Sequence, residues 1–146
     1  LVMNLGLFCC LFMMKRNDKY YEKIEDLSGL SKNHPLLSLS LLIILFSLAG
    51  IPPMAGFFAK FYIFKSVIEQ SMYFLAIVGL LSTVIAAFYY LRIIKIIYFD
   101  SEKEKYDTDY NLGLKLSLII STLTILFYFI FPGKLVEIVS RINIIQ

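Results

Sequence analysis

The chain has 146 residues, 59% of them hydrophobic and 17% charged, with a formal net charge of +3 and a mean hydropathy of +0.76. A soluble domain of this size buries too little surface to hide that much apolar side chain, which excludes a water-soluble globular enzyme. The small net charge gives no ground for a nucleic-acid partner.

In chain order, residues 1–14 carry no charge and read as the end of a spanning helix, too short to cross alone. No basic stretch precedes this apolar run and no small-residue cleavage site follows it, so a signal peptide is not expected. The opening in mid-helix without an initiating Met leads to the expectation that the chain continues something upstream, either a longer polypeptide or a separate first half. Cys9 and Cys10 are neighbours, pointing about 100° apart on a helix, and are read as small hydrophobes rather than a metal pair or a disulfide.

Residues 15–34 mix Lys15, Arg16, Lys19, Lys23 and Lys32 with Asp18, Glu22, Glu25 and Asp26, the pattern of an exposed loop with room for a short helix. Three charge-free runs follow, at 35–59, 71–91 and 116–133, each near the roughly 20 residues that a bilayer-crossing helix needs. They define a long apolar segment over 35–68, a spanning helix over 71–99, a charged loop over 100–113 and a spanning helix over 114–132. In the tail, 133–146, Leu135, Ile138, Val139 and Ile142 fall at helical spacing and suit an interfacial helix. The fold class is therefore an all-α integral membrane protein. If the segments cross in turn, Lys15–Lys32 and Arg92–Lys115 lie on one side with five basic residues each, ten of the 14, which makes that side the cytoplasm or the mitochondrial matrix.

The segment 35–68 is too long for one straight crossing. Its 34 residues would reach about 50 Å as a continuous helix, against a hydrocarbon layer of about 30 Å. Gly50-Ile51-Pro52-Pro53 stands in its middle. The prolines remove two backbone donors and Gly50 loosens the turn before them, so the helix is expected to break over Gly50, Pro52, Pro53 and Gly56. In lipid such a break survives only where protein or a wet cavity surrounds it.

Lys60 follows the break by two turns, among Phe57, Phe58 and Phe61. A lysine at membrane depth is costly and should face the bundle interior or a water path. Partial loss of water favours the neutral amine, so such a lysine can gain and lose a proton, the requirement for a relay. The plainer reading is a lysine that snorkels to the interface; the double proline upstream favours the relay. Lys65 and Glu69, at i and i+4, read as an interfacial ion pair.

The remaining polar residues carry less. His34, alone in a basic loop, reads as solvated. Arg92 and Lys95 read as headgroup anchors, and Asp100, Glu102, Glu104, Asp107 and Asp109 as a solvated loop without calcium-loop glycine spacing. Ser82, Thr83, Thr122 and Thr124 read as helix-packing residues that use backbone hydrogen bonds. No phosphate loop, catalytic triad, zinc spacing or iron–sulfur cysteine set is present.

Ser47-Leu-Ala-Gly-Ile-Pro-Pro-Met-Ala-Gly-Phe-Phe-Ala-Lys60-Phe resembles the broken helix of the antiporter-like subunits of respiratory complex I, with the best fit in the branch called subunit 2 in mitochondria and subunit N in bacteria. Leu1-Val-Met-Asn-Leu-Gly-Leu-Phe resembles the preceding helix, Asp26-Leu-Ser-Gly-Leu with Pro35 the connecting loop, and Phe88-Tyr-Tyr-Leu-Arg-Ile the tyrosine-rich end of the next helix. The resemblance covers essentially the whole chain but only the last third or so of such a subunit.

It implies a proton-translocating membrane-arm subunit of NADH:quinone oxidoreductase in which Lys60 is the terminal half-channel lysine. By the same resemblance the chain holds no cofactor, and NADH, FMN, iron–sulfur clusters and ubiquinone belong to partner subunits. The implied partners are the N-terminal half of the same subunit, neighbouring antiporter-like and small membrane subunits, and lipids. The family's central glutamate and upstream lysines (or histidine) have no counterpart here. A subunit of a multi-subunit cation/proton antiporter shares the broken helix and stays open as an alternative, as does a structural piece with an inert Lys60. Abundant Ile, Phe, Tyr, Asn and Lys suggest an AT-rich genome, which suits the mitochondrial inner membrane, with a bacterial plasma membrane as the alternative.

Overall fold

A computed structural model describes residues 1–16, 19–20, 23–52, 54–101, 106 and 111–130. Among them are α1 (Val2–Met13), a two-residue antiparallel ladder of β1 (Lys15–Arg16) with β2 (Lys19–Tyr20), and a 3₁₀ turn over Ile24–Leu27. Then come α2 (Leu30–Asn33), α3 (Pro35–Ala49), α4 (Ala55–Glu69), α5 (Tyr73–Phe99) and α6 (Leu112–Ile130). The architecture is all-α. The tail 133–146, Pro53 and most of the 100–113 loop, including Glu102, Glu104, Asp107 and Asp109, lie outside the described residues.

Pro35 occupies the first turn of α3, where a missing N–H costs nothing, and sets the helix start. The core gathers at the end where the loops are: Cys10 and Met14 from the end of α1, Leu41 and Leu45 from α3, Ile97 from α5 and Leu118 from α6, capped by Leu27, Leu30 and Tyr106. Both cysteines are buried and free. α1 packs on α6 at Gly6, where an added Cβ would stand 3.0 Å from the Ser121 Cβ and 2.8 Å from Ile44 Cδ1. Small residues let these two backbones approach in the way membrane helices favour.

α5 is a single rod of 27 residues, about 40 Å long. It is the one helix among the described residues long and apolar enough to cross a membrane; α1, α3 and α6 are apolar but shorter. Its outer face exposes Phe74, Ile77, Leu81, Val84, Ile85 and Phe88. α3 and α4, at 15 residues each, reach only about 22 Å apiece. The later part of α5 (Tyr90, Ile93) shares a cleft with Leu41 and Leu45 of α3, and its earlier part (Ala76, Ile77, Leu80) shares one with Phe64 and Ile68 of α4. The two half-helices together therefore run alongside one full-length rod.

Loop residues are better tied than the sequence suggests. The Tyr106 hydroxyl donates to the Asp26 carbonyl at 2.6 Å, and the Tyr106 N–H donates to His34 Nε2 at 3.1 Å. Gly29 N–H donates to the Ile96 carbonyl at 3.2 Å. His34, read from sequence as a solvated residue, is instead a half-buried acceptor for the Tyr106 N–H; its partner lies 72 residues away, beyond the reach of any local pattern. Ser82, Thr83, Thr122 and Thr124 donate to backbone carbonyls three or four residues back in their own helices. Arg92 is exposed, and Lys95 approaches Asp100 to 3.8 Å at the end of α5.

Candidate functional site: a lysine seated in a helix break

The break is built from the backbone outward. α3 stops at Gly50, whose φ of +80° is a left-handed conformation that L side chains rarely adopt. Gly50 N–H reaches the Ser47 carbonyl at 3.1 Å and Ile51 N–H reaches the Phe46 carbonyl at 3.1 Å. This pair closes the helix end as a Schellman motif. It satisfies the carbonyls of Phe46 and Ser47 and leaves those of Leu48 and Ala49 open, where the helix also carries partial negative charge.

Lys60 fills that vacancy. Its Nζ donates to the Leu48 carbonyl at 2.9 Å and to the Ala49 carbonyl at 3.1 Å. The side chain lies across Gly50, where an added Cβ would meet Lys60 Cδ at 3.0 Å and Nζ at 3.1 Å. Lys60 therefore turns back toward the break. No carboxylate pairs with it among the described residues. An ammonium has three donors, so two carbonyls leave one for other partners.

On the far side of the break, Met54 N–H bonds the Ile51 carbonyl and Phe57 N–H the Met54 carbonyl, each at 3.0 Å, starting α4. Pro52 is exposed and has no donor to satisfy. Gly56 N–H, one of the open donors of the new helix, is capped at 3.1 Å by the Ser47 hydroxyl, which itself donates to Met3 Sδ of α1 at 3.0 Å. An added Cβ on Gly56 would fall 1.8 Å from the Ser47 carbonyl oxygen, so the first turn of α4 is pressed against the last turn of α3.

Lys60 also lines a cavity of about 480 Å³ between α4 and the first half of α5. Phe57, Phe61, Phe64 and Leu80 form apolar walls, Ala49 and Gly50 one end, and Ile68 and Glu69 the other. Thr83 adds a hydroxyl, and Lys65 a second ammonium whose Nζ is 3.8 Å from Glu69 Oε1. The site thus brings together Gly50, Gly56 and Lys60 with Pro52, and leaves Pro53 outside the described residues. Ser47, the residue that ties the two half-helices together, carries no signal of that role in the sequence beyond its place at the start of the motif. Chemically the arrangement can hold an ammonium on carbonyl oxygens, with no carboxylate beside it among the described residues, and face it into a half-open cleft.

The chain was compared with known proteins. A family model described as NADH:quinone oxidoreductase/Mrp antiporter, transmembrane, matches residues 1–86. The chain is 82% identical over 145 residues to NADH-quinone oxidoreductase subunit N of Pelagibacter ubique, covering 99% of this chain and 31% of that protein. It is 47% identical over 135 residues to the subunit N of Parvibaculum lavamentivorans, covering 92% and 28% respectively. It therefore spans about a third of the length of the curated relatives it matches. The fold is similar to that of a chain in the structure of respiratory complex I from Thermus thermophilus with bound aureothin, with a TM-score of 0.71 and 22% identity over 90% of this chain and 32% of that one. With the family model matching more than half of its length, the chain belongs to the NADH:quinone oxidoreductase/Mrp antiporter family of transmembrane proteins.

Proposed function

We propose that the chain is the lysine-bearing terminal part of a proton-translocating membrane-arm subunit of NADH:quinone oxidoreductase, of the subunit N kind, with Lys60 as its terminal half-channel lysine. The observation that carries this reading is the Lys60 ammonium resting on the Leu48 and Ala49 carbonyls at the break while lining a cavity. Carbonyl dipoles hold the cation without neutralising it, so its hold on a proton stays responsive to charge changes nearby. A carboxylate partner would fix it more firmly. NADH, FMN, iron–sulfur and quinone chemistry belongs to partner subunits, and this chain's part is to bind and release a proton at Lys60 Nζ. Its partners are the rest of the same subunit, neighbouring antiporter-like and small membrane subunits, and lipid.

We place it in a bacterial plasma membrane rather than the mitochondrial inner membrane. The relatives at 82% and 47% identity are bacterial, and an AT-rich composition is shared by some bacteria. The family description also embraces Mrp antiporters, but both reported relatives are NADH-quinone oxidoreductase subunits, which favours the redox-driven reading.

Lys60→Ala should leave the complex assembled and lower NADH-driven proton pumping into sealed vesicles by about tenfold or more. Full pumping by that variant would reject the relay role. A sodium-dependent phenotype without NADH oxidation would favour the antiporter.

A further inference from the structure

We propose that Glu69 receives the proton that leaves Lys60 and that the cavity between α4 and α5 is the water-filled route between them, an inference that rests on the relay reading of Lys60. Three observations carry it. The cavity is continuous from Gly50 and Lys60 at the break to Ile68 and Glu69 near the end of α4. Glu69 is the sole acidic residue between Asp26 and Asp100 in the sequence, and it stands where that cavity ends. Its side chain is 61% exposed and stands at the last residue of α4. The terminus is also on the side opposite the two basic loops, because α4 turns into α5 at Gln70–Met72 and α5 runs back toward them.

Nine residues of α4 separate the two groups, about 13 Å, too far for direct transfer. The cavity has room for on the order of ten waters, and Lys60, Thr83, Lys65 and Glu69 supply polar partners along it. In the step, one N–H bond of the Lys60 ammonium breaks and its proton passes to a cavity water. The last water of the chain gives a proton to a Glu69 carboxylate oxygen. Lys60 is left a neutral amine and Glu69 a carboxylic acid, which then releases its proton to the aqueous phase. Lys65, whose Nζ stands 3.8 Å from Glu69 Oε1, pairs with that carboxylate when it is ionised and takes no part in the transfer. These three are the charged groups that line the cavity among the described residues.

The test uses the intact respiratory complex in sealed vesicles, reading protons moved per NADH oxidised. Glu69→Gln should lower that ratio about tenfold with the complex assembled, and Glu69→Asp should largely restore it. Lys65→Gln removes the same ion pair but keeps the carboxylate, and should retain most of the pumping. Wild-type pumping by Glu69→Gln would overturn the proposal. So would a Lys65→Gln loss equal to that of Glu69→Gln, or failure of Glu69→Gln to assemble, since either assigns Glu69 a packing role. Lys60→Ala run alongside separates the two claims. If Lys60→Ala pumps poorly while Glu69→Gln pumps normally, only the outlet falls; if Lys60→Ala pumps normally, the relay reading itself falls.

Discussion

At the scale of single residues, the site depends on two hydrogens where side chains would normally stand. Gly56 brings α4 within reach of Ser47, and a methyl there would overlap a backbone carbonyl oxygen at 1.8 Å. Backbone cannot swing aside as a side chain can, so Gly56→Ala must separate the two half-helices. Gly50→Ala meets mainly the flexible Lys60 side chain, at 3.0 Å and 3.1 Å, plus the strain of a φ of +80°. That strain is about 1–2 kcal/mol. Thermal unfolding of the assembled complex should therefore fall further for Gly56→Ala, about 3 kcal/mol or more, than for Gly50→Ala. The reverse order would contradict the close contact of α4 with α3. Lys60 and its neighbouring glycines could be picked out in the sequence because lysine is rare among apolar residues and glycine before two prolines is a strong local signal. Ser47 could not, because a hydroxyl acting as a cap across nine residues depends on how the chain folds back.

At the scale of elements, hydropathy and proline placement were enough to outline the helices. The charge-free runs overlap α3, α5 and α6, although Arg92 and Lys95 fall inside α5 and Lys115 inside α6, and Pro52 stands between α3 and α4. What no local pattern carries is how the loops close over the helix ends. Ser71, with a φ of 57°, turns α4 into α5 although nothing in its identity announces a left-handed residue. His34 likewise accepts from Tyr106 N–H across 72 residues. Replacing His34 with Leu removes that acceptor and leaves a backbone donor unsatisfied, at a cost of about 1–3 kcal/mol. Limited proteolysis of membranes should then cut next to Tyr106 several-fold faster. An unchanged cleavage rate would show that the contact does not hold Tyr106.

At the scale of the whole molecule, the packed core lies toward the loops while the first half of α5 presents an unbroken apolar face. A contiguous apolar face of this kind calls for lipid or another protein surface against it. The break and its lysine share a cavity with Leu80 and Thr83, so they lie alongside α5 between its two ends. The account stands on the amine itself, and that can be tested by taking it away and putting it back. In the intact complex carrying Lys60→Cys, NADH-driven pumping should be largely lost. Alkylation with 2-bromoethylamine, which rebuilds a lysine-like amine on the thiol, should restore it, whereas iodoacetamide, which adds a neutral amide, should not. The wild-type complex treated in parallel sets the background; its Cys9 and Cys10 are buried. Pumping that survives in Lys60→Cys before any reagent, or that returns equally with both reagents, would contradict the claim that a proton-carrying amine in the helix break couples this protein to energy conversion.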